Sequence, residues 1–144
     1  MLNVVSIVNY LGCNFTFPKH LSDDSFSMEQ GFLEDEDQNL VKRHFSTNYV
    51  YEVFFPNGVG VFFDAEEQDP YLKASKIESQ KDFLALCELL KNYLEEGNYC
   101  ELYTCWYGEE GEDRNYKFDQ TINLNKTDIQ NISILEKTLI TIRK

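Results

Sequence analysis

The chain has 144 residues and a net charge of −12, with 25 acidic side chains against 13 basic ones. Hydrophobic residues make up 42% of it and aromatic residues 15%, which excludes a disordered chain. No run of about 18 apolar residues occurs, so the sequence excludes a transmembrane helix. The length predicts a single domain over residues 1–144, and the N-terminus lacks a basic leader, so we expect a cytoplasmic protein.

The charge is unevenly distributed along the chain. Residues 1–113 carry 22 acidic against 7 basic side chains, whereas residues 114–144 carry 3 acidic against 6 basic ones. Such a field repels nucleic acid and anionic membranes and accelerates encounter with a basic partner. An acidic surface also maintains solubility in many proteins, and this simpler interpretation competes at every single cluster.

The N-terminal third predicts two strands and a short helix. Alternating apolar residues predict a strand at residues 2–11, and residues 15–17 predict a second, shorter one. The acidic run at residues 34–37 favours the start of a helix that continues to Phe45, because negative charge stabilises that end of a helix.

A hairpin is the next predicted element, at residues 48–63. Asn57-Gly58 lies there between two apolar runs, which is the strongest short-range hairpin signal in a sequence. Gly60 in the second run suggests a bulge or a close approach of two backbones. A second acidic patch follows at residues 64–69.

The principal helix is predicted at residues 79–96. Ser79 is a candidate N-cap, and Gly97 can adopt the left-handed conformation that ends a helix. Apolar side chains recur at helical spacing and share one face. These side chains are Phe83, Leu86, Cys87, Leu90, Tyr93 and Leu94.

A strand rich in aromatic residues is predicted directly after this helix, at residues 98–107. Because successive side chains of a strand point to opposite faces, Cys100 and Leu102 lie on one side and Tyr103 and Cys105 on the other. An acidic loop at residues 108–113 follows. The chain closes with further β segments, predicted at residues 116–122, 132–135 and 139–142.

Together these elements predict an α+β fold. We expect a mainly antiparallel sheet of four to seven strands, with the amphipathic helix at about residues 79–96 packed on one face. The other face would then remain available for another contact.

The four cysteines and two histidines do not form a recognisable site. The sequence contains no Cys-x-x-Cys pair, and Cys100 and Cys105 point to opposite sides of one strand, so we interpret the cysteines as structural thiols. Cys13 with His20 or His44 could form a nucleophile–base pair, but nothing in the sequence positions them. No Gly-x-Ser-x-Gly motif is present. We therefore predict no catalytic residue, no metal and no cofactor.

Two segments resemble a known class of proteins. They are Glu-Leu-Tyr-Thr-Cys-Trp-Tyr-Gly-Glu-Glu at residues 101–110 and Ile-Leu-Glu-Lys-Thr-Leu-Ile-Thr-Ile at residues 134–142. In these segments the chain resembles small acidic immunity proteins of bacterial polymorphic and contact-dependent toxin systems. The resemblance implies a single-domain cytoplasmic α+β protein that binds and blocks a cognate toxin, often a nuclease. It transfers no binding residues.

The residues themselves are consistent with such a role, because blocking a cationic toxin requires exposed carboxylates and aromatic anchors on a rigid scaffold. We expect no direct binding to nucleic acid or membrane. The predicted partner-binding residues are Glu34, Asp35, Glu36, Asp37, Asp64, Glu66, Glu67, Asp69, Trp106, Tyr107, Glu109, Glu110, Glu112 and Asp113. Of these, Trp106 is the one that we expect in the core rather than at an interface.

Two other functions stay open at this point. The protein could be a DNA mimic or small regulatory protein that titrates a basic DNA-binding partner, which requires carboxylates spaced like phosphates on one face. It could also be a small enzyme with a pocket between helix and sheet, which requires convergent polar groups in a concave site.

Overall fold

The structure is a computed structural model that describes residues 6–31 and 34–144, apart from the side chain of Asp35. The first four residues of the predicted N-terminal strand, residues 2–5, lie outside this range. The helices and strands are, in chain order, β1 (Ile7–Cys13), β2 (Ser27–Glu29), α1 (Asp35–Lys42), β3 (Tyr49–Phe54), α2 (Pro70–Lys91), β4 (Tyr99–Trp106), β5 (Gln120–Asn123) and β6 (Thr138–Arg143).

The six strands form one sheet in the order β2-β3-β1-β4-β6-β5. Neighbouring strands run antiparallel, except that β5 and β6 run parallel. The predicted α+β class, with a mainly antiparallel sheet and one principal helix, is confirmed. Strands β1 and β4 occupy the centre of the sheet, and their register joins Ile7 to Trp106 and Gly12 to Glu101.

One face of the sheet is covered by α2. Leu11 of β1 and Leu102 of β4 pack there against Phe83, Leu86 and Leu90 of the helix, and all five side chains are fully buried. The apolar spacing that predicted an amphipathic helix is therefore the spacing that forms the main core.

The other face carries a second, smaller core under α1. Tyr10, Val50 and Tyr103 on the strands pack there with Val41 and Phe45 from α1 and the turn that follows it. The expectation that this face remains available was wrong at the centre of the sheet. Since β1 and β4 alternate apolar side chains on both sides, each face requires its own cover.

The principal helix begins earlier than the sequence pattern suggested. Asp69 is the N-cap, because its Oδ1 accepts a hydrogen bond from Tyr71 N at 2.9 Å, and Pro70 occupies the first helical position. Ser79, the predicted N-cap, lies inside the helix, where its Oγ accepts a hydrogen bond from Phe62 N at 3.1 Å. The helix also ends at Lys91, five residues before the predicted end.

Gly97 has the predicted left-handed conformation, with φ of +87°, but in the connection between α2 and β4. The helix itself ends in a tight turn at Asn92, where Asn92 N donates to Leu89 O and Tyr93 N donates to Leu90 O, both at 3.1 Å. Gly97 N instead donates to Lys144 O at 2.9 Å and so ties this connection to the end of the chain. None of the helices within residues 6–31 and 34–144 is both long and apolar enough to cross a bilayer.

The predicted hairpin at residues 48–63 was wrong in its second half. Residues 59–63 do not return along β3 but cross the α2 side of the sheet, where Asn9 of β1 binds them. The Asn9 side chain accepts a hydrogen bond from Val61 N at 2.7 Å and donates one to Val61 O at 3.1 Å. Gly60 allows this approach, since a Cβ atom there would lie 2.5 Å from Ile7 O.

Other predicted strands also took different forms. Residues 15–17 form no strand; Phe17 packs edge-to-face against Tyr51 and Tyr93. The strand predicted at residues 116–122 begins instead as a 3₁₀ turn, and only its second half lies in β5. Residues 132–135 contribute a single bridge, between Ile134 and Phe63. The closing segment is a strand, as predicted.

Asn9 provides the first test. Replacing Asn9 with Ala leaves the buried N–H and C=O of Val61 without partners, and we expect the free energy of unfolding to fall by about 2–4 kcal/mol. Urea unfolding measures this loss. The control is Asn98→Ala, which removes an exposed carboxamide. A loss of about 0.5 kcal/mol or less, as expected for a surface position, would contradict the structural role of Asn9.

Candidate docking face

Two of the three predicted acidic segments meet on the α1 side of the sheet. Asp37 and Leu40 of α1 line a shallow depression of about 140 Å³ together with Tyr107, Gly108, Glu110 and Gly111. About seventy residues of sequence separate α1 from this loop. We call the surface formed by residues 34–40 and 107–113 the acidic face.

Backbone contacts hold the loop of the acidic face against α1. His44 Nε2 lies 2.8 Å from Glu110 O, and Arg43 Nη2 donates a hydrogen bond to Gly111 O. A Cβ atom on Gly111 would lie 3.1 Å from Leu40 Cδ1, so glycine permits the close packing of loop and helix. The two segments therefore form one surface with a fixed relative position.

Glu110 does not belong to the exposed part of this surface. Only 6% of it is accessible, and its carboxylate accepts hydrogen bonds from Gly108 N at 2.6 Å and Tyr10 Oη at 3.2 Å. Glu110 was predicted as a contact residue, yet its side chain points inward and closes the loop. No pattern in the sequence indicates this role, because Glu109, Glu110 and Glu112 are chemically identical.

Glu109 and Glu112 are the loop carboxylates with a basic partner. Lys137 Nζ lies 3.5 Å from Glu109 Oε1 and 2.8 Å from Glu112 Oε1. The hydrogen bond to Glu112 is the main cause of the raised pKa of Lys137. Because all three side chains lie at or near the surface, this network orients the loop more than it stabilises the fold.

The remaining predicted residues of the acidic face are directed to solvent. Glu34, Glu36, Asp37 and Asp113 are exposed, and they take part in no ion pair among the described residues. Tyr107 stands beside them with 65% of its surface accessible. Asp35 lies in α1, but its side chain lies outside the described part of the chain.

A row of carboxylates that the sequence prediction missed continues the face across the sheet. Glu29 of β2 lies opposite Glu52 of β3, and Glu52 lies opposite Tyr10 of β1, which binds Glu110. Burial raises the pKa of Glu52, and the nearby charges of Glu110 and Glu29 raise it further. The alternation of β3 was the available signal, since Glu52 shares its side of the strand with the buried Val50.

The third acidic segment, residues 64–69, lies elsewhere and serves the start of α2. Asp64 Oδ1 accepts a hydrogen bond from Glu66 N, and Glu67 Oε1 accepts one from Asp69 N, both at 2.9 Å. Asp69 caps the helix, as described above. These four carboxylates lie at the N-terminal end of α2, which covers the opposite side of the sheet from the acidic face.

Trp106 is likewise separated from the acidic face. It is the last residue of β4, and its half-buried ring packs near Phe62, with 6.1 Å between ring centroids. The alternation of the strand directs Trp106 to the α2 side, while Tyr107 follows on the acidic face.

Basic residues support the acidic face from its rim. Arg114 donates a hydrogen bond to His44 O at 2.8 Å and forms an ion pair with Asp119 at 3.2 Å. The His44 ring stacks on Tyr103 with 4.2 Å between centroids. Burial lowers the pKa of His44, and the neighbouring Arg43 and Arg114 charges lower it as well.

The cysteines and histidines do not converge in the described structure. Cys13 is buried on the α2 side of the sheet, whereas the ring of His44 lies on the α1 side and His20 is exposed in a loop. All four cysteines are buried free thiols. Within residues 6–31 and 34–144, no group of three or more His, Cys, Asp or Glu side chains is arranged to hold a metal ion.

The lowered pKa of His44 predicts a pH effect on stability. The unfolded chain binds the His44 proton more tightly than the folded one, so the free energy of unfolding falls as the pH drops below the ordinary value of 6.5. His44→Gln should weaken this dependence in urea unfolding between pH 7.5 and 5.5. The control, His20→Gln, changes an exposed ring and should retain it; equal slopes in all three proteins would contradict the assignment.

The raised pKa of Glu52 predicts the opposite dependence of stability on pH. Its raised pKa means that the folded protein binds the Glu52 proton more tightly, so stability is lost as the pH rises through that pKa. Glu52→Gln should therefore raise the free energy of unfolding at pH 7 by roughly 0.5–1 kcal/mol, and the gain should shrink as the pH falls through the raised pKa toward the ordinary value of 4.5. Glu96→Gln, at an exposed site, is the control. A destabilised Glu52→Gln protein would contradict the argument.

Seen as a whole, the acidic face combines a fixed backbone, exposed carboxylates and one exposed aromatic ring around a shallow depression. The basic residues Arg43, Arg114 and Lys137 lie beside this face and make contacts within the protein. No family model matches this sequence, and searches of curated proteins and of solved structures found no significant match.

Proposed function

We propose that this chain is a binding protein of the immunity type, which docks a basic protein toxin on its acidic face and neutralises it. The observation that carries the proposal is the meeting of residues 34–37 and 107–113 around the exposed Tyr107 and Leu40. Carboxylates from distant parts of the chain form one surface there. Residues 64–69 and Trp106 are not part of this proposed surface.

The unpaired charges give this surface its specificity for a basic partner. Glu36 and Asp37 are exposed without an ion-pair partner in the described residues, so a cationic surface can pair with them without breaking an existing contact. The net charge of −12 steers such a partner toward the protein over distances of about a Debye length. Fast association would suit a protein that must block a toxin before it acts.

An aromatic anchor beside the charges supports protein recognition over simple solubility. Tyr107 has 65% of its surface exposed, and Leu40 has 39% exposed, on the two walls of the depression. Tyrosine is among the residue types that most often dominate the binding free energy at protein interfaces, an adjacent leucine adds apolar contact area, and charged groups at the rim set orientation and rate. A surface that serves only solubility needs neither of them.

The carboxylates that continue the acidic face across the sheet, Glu29, Glu52 and Glu110, support the proposal by a second argument, which concerns stability. Glu52 has a raised pKa because it is desolvated near Glu110 and Glu29, and it forms no hydrogen bond or ion pair within the described residues. Such a charge destabilises the folded chain until a cation approaches it. Binding of a lysine or arginine side chain near Glu52 would relieve this cost, so the free energy lost in folding is recovered on docking.

The test is co-expression with a toxin. We expect the gene for this chain to lie beside a gene for a large toxin with a variable C-terminal domain, and the wild-type chain to restore growth when that domain is expressed. The purified pair should associate with a rate constant that falls steeply as salt is added. A wild-type chain that neither restores growth nor binds the toxin would remove the proposed function.

Matched variants then test the surface. Glu36→Gln with Asp37→Asn should reduce the association rate about threefold to tenfold at low salt, whereas Glu95→Gln with Glu96→Gln, the same change of net charge elsewhere, should not.

Tyr107→Ala should weaken binding by about 2 kcal/mol, and Tyr71→Ala, at a residue exposed on α2, should have no effect. If the control variants lose as much as the test variants, the protein binds through another surface.

A further inference from the structure

Two thiols face each other across the central strands of the sheet. Cys13 Sγ of β1 and Cys100 Sγ of β4 lie 3.6 Å apart, and both residues are fully buried. The other two cysteines lie on other elements or on the other face: Cys87 is on α2, in the same core as the pair, and Cys105 points to the α1 side of the sheet. The described structure therefore contains one close pair of thiols and two single ones.

The strand register places this pair where a cross-strand disulfide fits. Tyr107 N donates to Ser6 O at 2.8 Å, so Ser6 and Tyr107 form a hydrogen-bonded pair, and every second pair along the ladder is of the same kind. Counting along the register beyond Gly12 and Glu101, Cys13 and Cys100 face each other at a non-hydrogen-bonded position. At such positions the Cα atoms are about 4.5 Å apart, inside the range of about 4.4–6.8 Å that disulfides span.

We propose that Cys13 and Cys100 are an oxidation site, at which a peroxide converts the two thiols into an intramolecular disulfide. One thiol sulfur attacks the peroxide, the O–O bond breaks, and the products are a sulfenic acid and water. The second thiol then displaces the hydroxyl group as a second molecule of water and forms the S–S bond. The two sulfurs are oxidised by two electrons in total, and hydrogen peroxide is reduced to two molecules of water.

The position of the pair determines how the oxidation proceeds. Burial raises the pKa of Cys13, and the contact with Cys100 raises it further, so little thiolate forms in the closed sheet. The pair lies one residue beyond the last paired residues of the β1–β4 ladder, Gly12 and Glu101, while Cys13 still pairs with Tyr49 of β3 and Cys100 with Ile142 of β6. Oxidation is therefore slow in the folded protein and accelerates when this end of the ladder opens.

The disulfide would join the two central strands across 87 residues of sequence without altering the acidic face. Cys13 and Cys100 belong to the core under α2, whereas the acidic face lies on the opposite side of the sheet. Oxidation should thus raise the stability of the scaffold and leave the surface around Tyr107 unchanged. This inference does not depend on the proposed function.

The experiment treats the full chain with hydrogen peroxide, in buffer and in urea below the unfolding transition. We expect an intact mass lower by about 2 Da and a single linked peptide pair that contains Cys13 and Cys100. Cys87 and Cys105 should remain accessible to alkylation after unfolding. The melting temperature of the oxidised chain should rise by about 5–15 °C, because the bond closes a long loop of the unfolded chain.

Cysteine variants provide the controls. The double variant C87S/C105S retains only the close pair and should give the same loss of mass at a similar rate. Either C13S or C100S should abolish it. If a single variant does not fold, the peptide map of the wild-type chain still decides. Peroxide-treated wild-type protein with Cys13 and Cys100 still reduced, or linked to Cys87 or Cys105, would overturn the proposal.

Discussion

The central strands β1 and β4 are buried on both faces, and the rest of the structure follows from this constraint. Their side chains alternate between two cores, so that Leu11 and Leu102 require α2 while Tyr10 and Tyr103 require α1. A sheet with only one covered face would leave aromatic side chains in water. The short helix α1 is therefore part of the scaffold, and its packing on the sheet fixes the position of the acidic residues at its N-terminus.

In the same region, basic residues from the C-terminal segment contact the acidic part of the chain. Two basic residues of the C-terminal segment make contacts within the protein: Lys137 binds the acidic loop through Glu109 and Glu112, and Arg114 binds the backbone at His44. Lys137 thus pairs with two carboxylates of the loop, while other carboxylates of the acidic face point to solvent. A face with many like charges can be rigid only if some of its repulsion is compensated inside the protein.

The sequence predicted the fold best where local signals agreed with tertiary packing. Strand β4 and the buried face of α2 were predicted because aromatic alternation and helical spacing are strong and unambiguous. The start of α2 was missed although Asp69-Pro70 is a good start signal, since Ser79 offered a competing cap. The hairpin failed for a tertiary reason, because Asn9 provides for Val61 the hydrogen bonds that a partner strand would have supplied.

The candidate site was less predictable than the fold. That residues 34–37 and 107–113 share a face depends on the course of the chain over the sheet, which no local pattern encodes. Glu110 and Glu112 are two positions apart and chemically identical, yet one is buried under a loop and the other is exposed. Glu110 differs in that its carboxylate accepts hydrogen bonds from Tyr10 Oη and Gly108 N. Charge in a sequence therefore indicates a docking surface in general terms, while its individual residues depend on packing.

The order of strands in the sheet has a consequence for synthesis of the chain. Strand β1 is made early, but its central neighbour β4 ends only at Trp106, so the ribosome must add more than ninety residues before the two can pair. At translation rates of about 5–20 residues per second this takes roughly 5 to 20 seconds. During that interval the growing polypeptide carries an apolar strand with an unpaired edge, and its strong negative charge opposes aggregation through that edge.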